Sequence, residues 1–168
     1  FTMDISKLNK IIADREDELE NLKGVQDNIR DLSHSLVPVS FDGNNFIHLI
    51  ENKISSRFSK DINCNIQTHP KDEINNISND LKFNVYRILQ NLAANIIKHS
   101  KATKAEFQIF KRGNKLQLIV SDNGVGFINN MMTEGHGLSN IKTRLATING
   151  KCINESDNGA FTRILIEL

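Results

Sequence analysis

The residues Asp122-Asn123-Gly124-Val125-Gly126-Phe127 set a carboxylate at the head of a loop holding two glycines, and Gly135-His136-Gly137-Leu138 follows shortly after. Glycine lacks a Cβ, so a backbone built on it can adopt φ > 0 and approach a ligand closely. Loop amides leading into a helix form a site for an anion such as a phosphate. An Asp ahead of such a loop can accept a hydrogen bond from the amine of a base. Upstream, Asn91 and Asn95 stand one helical turn apart, and Lys98 keeps to the same side. Two amide oxygens and an ammonium on one face suit a hydrated magnesium ion with attached phosphates, because magnesium prefers oxygen ligands and retains waters. Taken singly, Asp-Asn-Gly reads as a surface turn and the Asn pair as a solvated stripe. Their succession along one chain points instead to a nucleotide and its cation.

These residues need a scaffold, and the patterning supplies one. Leu81, Val85, Ile88, Leu89, Leu92, Ile96 and Ile97 recur at spacings of three and four, which predicts one helix over 79–100. Residues 44–59 read as a second helix with Phe46, Ile47, Leu49, Ile50, Ile54 and Phe58 inward, and 138–148 as a third, closed by Gly150. Alternation predicts strands over 62–68, 105–110 and 116–120, the last two joined by Arg112-Gly113-Asn114. A final hairpin runs from 151–155 to 161–168 through Asp157-Asn158-Gly159. The expected fold is α/β, a two-layer sandwich of a mixed sheet with about three helices. Residues 129–134, including Met131 and Met132, show neither period and read as a lid.

The first 36 residues differ in character. Ile5, Leu8, Ile12, Leu19, Leu22, Ile29 and Leu36 follow a seven-residue repeat, widened on one side by Ile11, Val25 and Leu32. Arg15 and Gln26 fall on the seam. Such a stripe suits one long helix of a four-helix bundle, roughly 50 Å by the rise per residue. It cannot bury its apolar face alone, so a homodimer through this helix is expected. Pro38 ends it.

Composition narrows the class. With 168 residues the chain holds one ordinary domain and an appendage. A net charge of +1 without a basic block argues against nucleic acid as a partner. Cys64 and Cys152 follow no metal-ligand spacing and read as buried or idle thiols in a reducing compartment. No apolar run approaches the ~18 residues of a membrane span, and Phe1 is not a natural start. The chain therefore reads as a cytoplasmic piece of a longer protein, whose missing segments would carry any membrane anchor.

The run Gln90-Asn91-Leu92-Ala93-Ala94-Asn95-Ile96-Ile97-Lys98-His99 resembles the asparagine box of sensor histidine kinases, and the two glycine segments resemble the glycine boxes that follow it. Gly159-Ala160-Phe161-Thr162 is similar to the family's last hairpin. The likeness is to the catalytic ATP-binding domain shared by histidine kinases, gyrases, ninety-kilodalton heat-shock chaperones and mismatch-repair ATPases. Lys98-His99-Ser100 and the short gap between the glycine boxes favour kinases related to nitrate and membrane-fluidity sensors. The resemblance implies ATP and Mg2+ as cofactors, with Asn95 as main metal ligand and Asn91 beside the metal and phosphates. It implies catalytic positions at Asn91 and Lys98, with Lys98 meeting the phosphates and His99 against the nucleotide. Asp122 would accept from the exocyclic amine of adenine and so reject guanine. Gly124, Gly126 and Phe127 would pass under the base, Gly135, His136, Gly137 and Leu138 would close over the phosphates, and Thr162 would reach adenine. In one departure, Asn91 stands where the closer subgroup has Glu.

Ile29-Arg30-Asp31-Leu32-Ser33-His34-Ser35-Leu36-Val37-Pro38 is similar to the end of the second dimerisation helix of those kinases, which implies a dimerisation segment over 1–38 and a catalytic domain over 39–168. His34 is followed by Ser35 rather than a carboxylate, so it lacks a neighbouring base and reads as a structural or hinge residue. The expected activity is transfer of the ATP γ-phosphoryl group to a histidine outside this chain, and thence to a response regulator. Two alternatives are a serine kinase or ATPase of the same fold, for which Glu at position 91 would speak, and a non-enzymatic dimerising module.

Overall fold

The computed structural model describes Arg15, Leu22 and residues 45–126, 136–156 and 159–168. The chain divides into two units, Phe1–Ser40 and Phe41–Leu168. In the first, Arg15 and Leu22 are helical and exposed; the rest of the expected bundle helix, His34 and Pro38 lie outside the described residues.

The second unit runs α1 (Phe46–Ser55), β1 (Asn63–His69), α2 (Lys71–Asn75), α3 (Asn79–Asn95) and a π-helical turn (Ile96–Ser100). It continues through β2 (Lys104–Arg112), β3 (Lys115–Asp122), α4 (His136–Thr147), β4 (Gly150–Ser156) and β5 (Ala160–Glu167). The strands form one mixed sheet in the order β1-β2-β3-β5-β4. Among the described strands only β1 and β2 pair in parallel. That pairing demands a crossover, and α2 with α3 supplies it.

Register decides what each side chain faces. Asp122 stands opposite Ala105 on β2 and Ala160 on β5. Period two then places it on the same face as Leu116, Leu118, Val120, Phe107, Ile109, Thr162, Ile164 and Ile166, all buried. The helices cover this face with Phe46, Ile50, Ile54, Ile74, Val85, Ile88, Leu89, Ile141 and Leu145. Phe58 lies edge-on to Phe107, ring centroids 5.9 Å apart. Asp122 is thus the polar end of an apolar row.

Three local expectations change. The helix over 79–100 is α-helical only to Asn95, and its last turn widens to π geometry. The wider turn moves Ile97 off the apolar stripe, leaving it 40% exposed, while Ile96 and Ser100 stay buried. Leu49 is half-buried, and Phe58, past the end of α1 at Ser55, is half-buried with its ring against Phe107. The helix after the second glycine segment is not closed by Gly150, which already belongs to β4; Asn149, at φ +50, makes the left-handed exit. The described helices also exceed three, because α2 fits a single turn too short to show a period. It earns its place by its buried Asn75, whose Oδ1 accepts from Ile47 N at 3.1 Å and so caps α1, where Asn45 makes no side-chain cap.

Ser78 caps α3, its Oγ accepting from Leu81 N at 3.3 Å. Ser78→Ala is expected to cost about 1 kcal/mol. Urea unfolding should show this as a lower midpoint with an unchanged slope.

Candidate functional site

The α3 helix holds its polar face by a chain of contacts. Arg87 donates from a guanidinium nitrogen to Gln90 Oε1 at 3.1 Å, and Gln90 Nε2 donates to the Tyr86 hydroxyl at 2.7 Å. Burial pushes the Tyr86 pKa up, against the pull of the Arg57 and Arg87 charges and the Gln90 bond. Arg144 of α4 and Arg87 each lie 5.5 Å from the centroid of the Phe83 ring, so two guanidinium groups over one aromatic ring join α4 to α3. Asn91 and Asn95 follow along α3, both half-buried. Neither amide is engaged in a hydrogen bond with another described residue. Lys98 and His99 are exposed on the π turn.

Beyond Asn95 the chain turns towards the Asp122 loop. The Ser100 hydroxyl donates to Ile96 O at 2.8 Å and accepts from Ala102 N at 3.0 Å, and Lys101 takes the left-handed conformation at φ +53. This directs the Ser100 carbonyl outward, where it accepts from Val125 N at 2.8 Å. A Cβ on Gly124 would lie 2.1 Å from that same oxygen. Gly124 is therefore required by space, and Gly126 by its φ of +72. The five steps from Asn95 to Ser100 rise only about 7 Å along a helix axis. The amide-bearing end of α3 and the loop after β3 consequently meet at one end of the sheet.

Asp122 closes its own turn: Oδ1 accepts from Gly124 N at 2.8 Å. Burial raises its pKa from the ordinary Asp value, and the Gly124 and Ala160 amides draw it partly back. On the neighbouring strand Thr162, 4% exposed, shares the face of Asp122 two residues beyond its partner Ala160. Gly159 presses from the other side, with φ +134 and a hypothetical Cβ 2.2 Å from Asp122 O. Of the other expected residues, Phe127 and Gly135 lie outside the described residues, as does the lid over 129–134. His136, Gly137 and Leu138 form the first turn of α4.

The donor set suits a hard cation bound together with phosphates. Among the described residues no group of three His, Cys, Asp or Glu could hold a metal. A divalent ion here would rely on amide oxygens, phosphate oxygens and water, the combination magnesium accepts. Cys64 and Cys152 are free thiols, each with its pKa pushed up by burial, Cys64 to about 11. Neither is poised to react. Asn123 and Gly159 stand within the motifs but carry no role of their own in the sequence reading: their partners lie 20 and 37 residues away, beyond any local pattern.

With this geometry in hand, the comparisons assign the class. The chain belongs to the family of histidine kinase-, DNA gyrase B-, and HSP90-like ATPases, whose profile matches residues 81–168. Its relatives point to the kinase branch. The sensor histidine kinase ComP of Bacillus subtilis (strain 168) is 36% identical over 92 residues, 53% of this chain and 12% of that protein. The sensor histidine kinase LiaS of the same strain is 28% identical over 152 residues, 89% of this chain and 41% of that protein. Among solved structures, the blue-light activated histidine kinase of Erythrobacter litoralis EL346 shares the fold, with TM-score 0.61 and 15% identity across 73% of this chain and 40% of that one. The chain carries the catalytic ATP-binding domain of sensor histidine kinases and spans less than half the length of these relatives. No helix among the described residues is long and apolar enough to cross a membrane.

Proposed function

We infer that this chain binds MgATP and presents the γ-phosphoryl group to a histidine outside it, as part of a two-component sensor kinase. The observation that carries the reading is the meeting of two segments at one end of the sheet: Asp122 with Gly124, and the π turn that continues α3 from Asn95. Family membership and the kinase relatives support it.

Asp122, half-buried and locked by Gly124 N, would accept from the exocyclic amine of adenine, with Thr162 beside it. Asn95 and Asn91 would hold magnesium through their amide oxygens, and the ion would neutralise phosphate charge. Lys98 and His99, exposed on the π turn, would meet the nucleotide's phosphate side, and Gly137 with its neighbours would close over it. In phosphoryl transfer, positioning and charge neutralisation are the protein's main contributions. The γ-phosphate would point outward to the acceptor ring.

Around this core the reading places a dimerisation segment over 1–38, a catalytic domain over 39–168, a homodimer through the N-terminal helix, a response regulator as final acceptor and a cytoplasmic location. The longer protein that carries this chain should, with γ-labelled ATP, form a phosphoprotein that loses its label in acid and keeps it in base. A label stable to acid would mark a serine kinase of the same fold. No label and no nucleotide binding would mark a non-enzymatic module. In the 168-residue chain, Asn95→Ala is expected to weaken magnesium-dependent nucleotide binding by at least about tenfold. The affinity measured in EDTA should change little, which titration with and without the metal reads directly.

A further inference from the structure

Asn123 behaves unlike a turn residue. An Asx side chain in a turn ordinarily bonds its own backbone two residues on, and here Asp122 already does so. Asn123 reaches instead to the segment entering β2. Its Oδ1 accepts from Thr103 N at 2.9 Å and Lys104 N at 2.8 Å, and its Nδ2 donates to Thr103 Oγ1 at 2.9 Å. Its backbone N–H adds a bond to Lys104 O at 3.3 Å. An exposed side chain thus turns both its oxygen and its amide nitrogen to one target, using both acceptance and donation.

The target gives the arrangement its meaning. Thr103 and Lys104 follow directly on the π turn and Lys101, on the path down from Asn95. On the far side of Gly124, the Ser100 carbonyl receives Val125 N at 2.8 Å. The loop carrying Asp122 is therefore fastened to one stretch of chain, Ser100 to Lys104, at two points that flank Gly124. Fastened so, the Asp122 carboxylate has one position relative to the end of α3. A site built around a fixed polar group rejects a wrong hydrogen-bonding pattern strongly, and the rejection weakens as the group gains freedom to turn away.

We propose that Asn123 is a positioning residue for purine choice: by tying the Asp122 loop to Thr103 and Lys104 it fixes the carboxylate that separates adenine from guanine. The proposal rests on the nucleotide reading above. It assigns no contact between Asn123 and the ligand; the residue acts through Asp122.

The test compares non-hydrolysable ATP and GTP analogues, with magnesium, on the 168-residue chain and three variants. Asn123→Ala is expected to weaken the adenine analogue about tenfold and leave the guanine analogue nearly unchanged, so the selectivity ratio falls by the same factor. Asn123→Asp keeps both acceptor bonds and lets the Thr103 hydroxyl donate, and should hold the ratio within about threefold of the parent. Thr103→Val removes one bond of the set and should lower the ratio by about threefold, which keeps the test open if Asn123→Ala fails to fold. A lower melting temperature with an unchanged ratio in Asn123→Ala and Thr103→Val would overturn the proposal and leave Asn123 as a structural tie. A parent chain that binds neither analogue would overturn the nucleotide reading, and the proposal with it.

Discussion

Asp122→Asn is expected to abolish the rise in melting temperature that MgATP produces, while leaving the nucleotide-free chain as stable as the parent or more so at neutral pH. The two halves have separate causes. Replacing a carboxylate oxygen by an amide nitrogen turns a donor towards a donor, the adenine amine, and removes a charge-assisted hydrogen bond. That loss is worth about 3 kcal/mol, over a hundredfold in affinity. By mass action a ligand stabilises only the state it binds, so the thermal shift vanishes with the affinity.

The stability half follows from the sign of the Asp122 pKa. Burial holds it above the unfolded value, so the folded state binds the proton more tightly. The stabilisation from this group is fully present below the unfolded pKa and is lost as pH rises through the folded one. At neutral pH the ionised carboxylate is then a net cost. Asparagine keeps an acceptor for Gly124 N and carries no such cost. For the same reason adenine affinity in the parent should fall on acidification at a midpoint above that of an ordinary carboxylate. A mutant that loses stability at neutral pH yet keeps the nucleotide shift would contradict both halves.

Gly124→Ala is the second large effect. The new methyl would lie 2.1 Å from Ser100 O and 2.7 Å from Ser100 C, both backbone atoms that cannot swing aside. Either the Val125–Ser100 bond breaks or the loop lifts from the π turn. Overpacking of this kind costs about 3 kcal/mol. Because the displaced segment carries Asp122, nucleotide binding should fall with stability. Gly113→Ala is the matched control: φ +57 in an open turn with nothing within 4 Å of its Cβ, for an expected cost of about 1 kcal/mol and no change in binding. Equal losses in the two variants, by denaturant titration, would show that conformational freedom rather than close approach explains Gly124.

The contrast marks how far the sequence could be read. Strands β2, β3 and β5 were legible because one face of the sheet is buried and the other wet, so apolar residues alternate. The helical stripe of α3 was legible up to Ile96, where it packs on that face. The π turn was not, since a change from i→i+4 to i→i+5 bonding leaves no mark in residue types. The five-residue α2 was too short for any period, and its Asn75 acts only through the distant Ile47 amide. At the site, Asp122 and the glycines announced a close approach to something, but Gly124 and Gly159 answer first to the chain itself, to Ser100 and Asp122. Asn123 looked like half of a turn signal because its partners Thr103 and Lys104 are brought near only by strand pairing.

The account stands on a cleft with a base at the Asp122 end and a cation at the Asn95 end. The most direct measurement is a structure of the chain with a non-hydrolysable ATP analogue and magnesium. The account predicts the exocyclic amine of adenine within hydrogen-bond distance of the Asp122 carboxylate, and the metal on the Asn95 amide oxygen. A base seated away from Asp122, or phosphates turned away from α3, would contradict it.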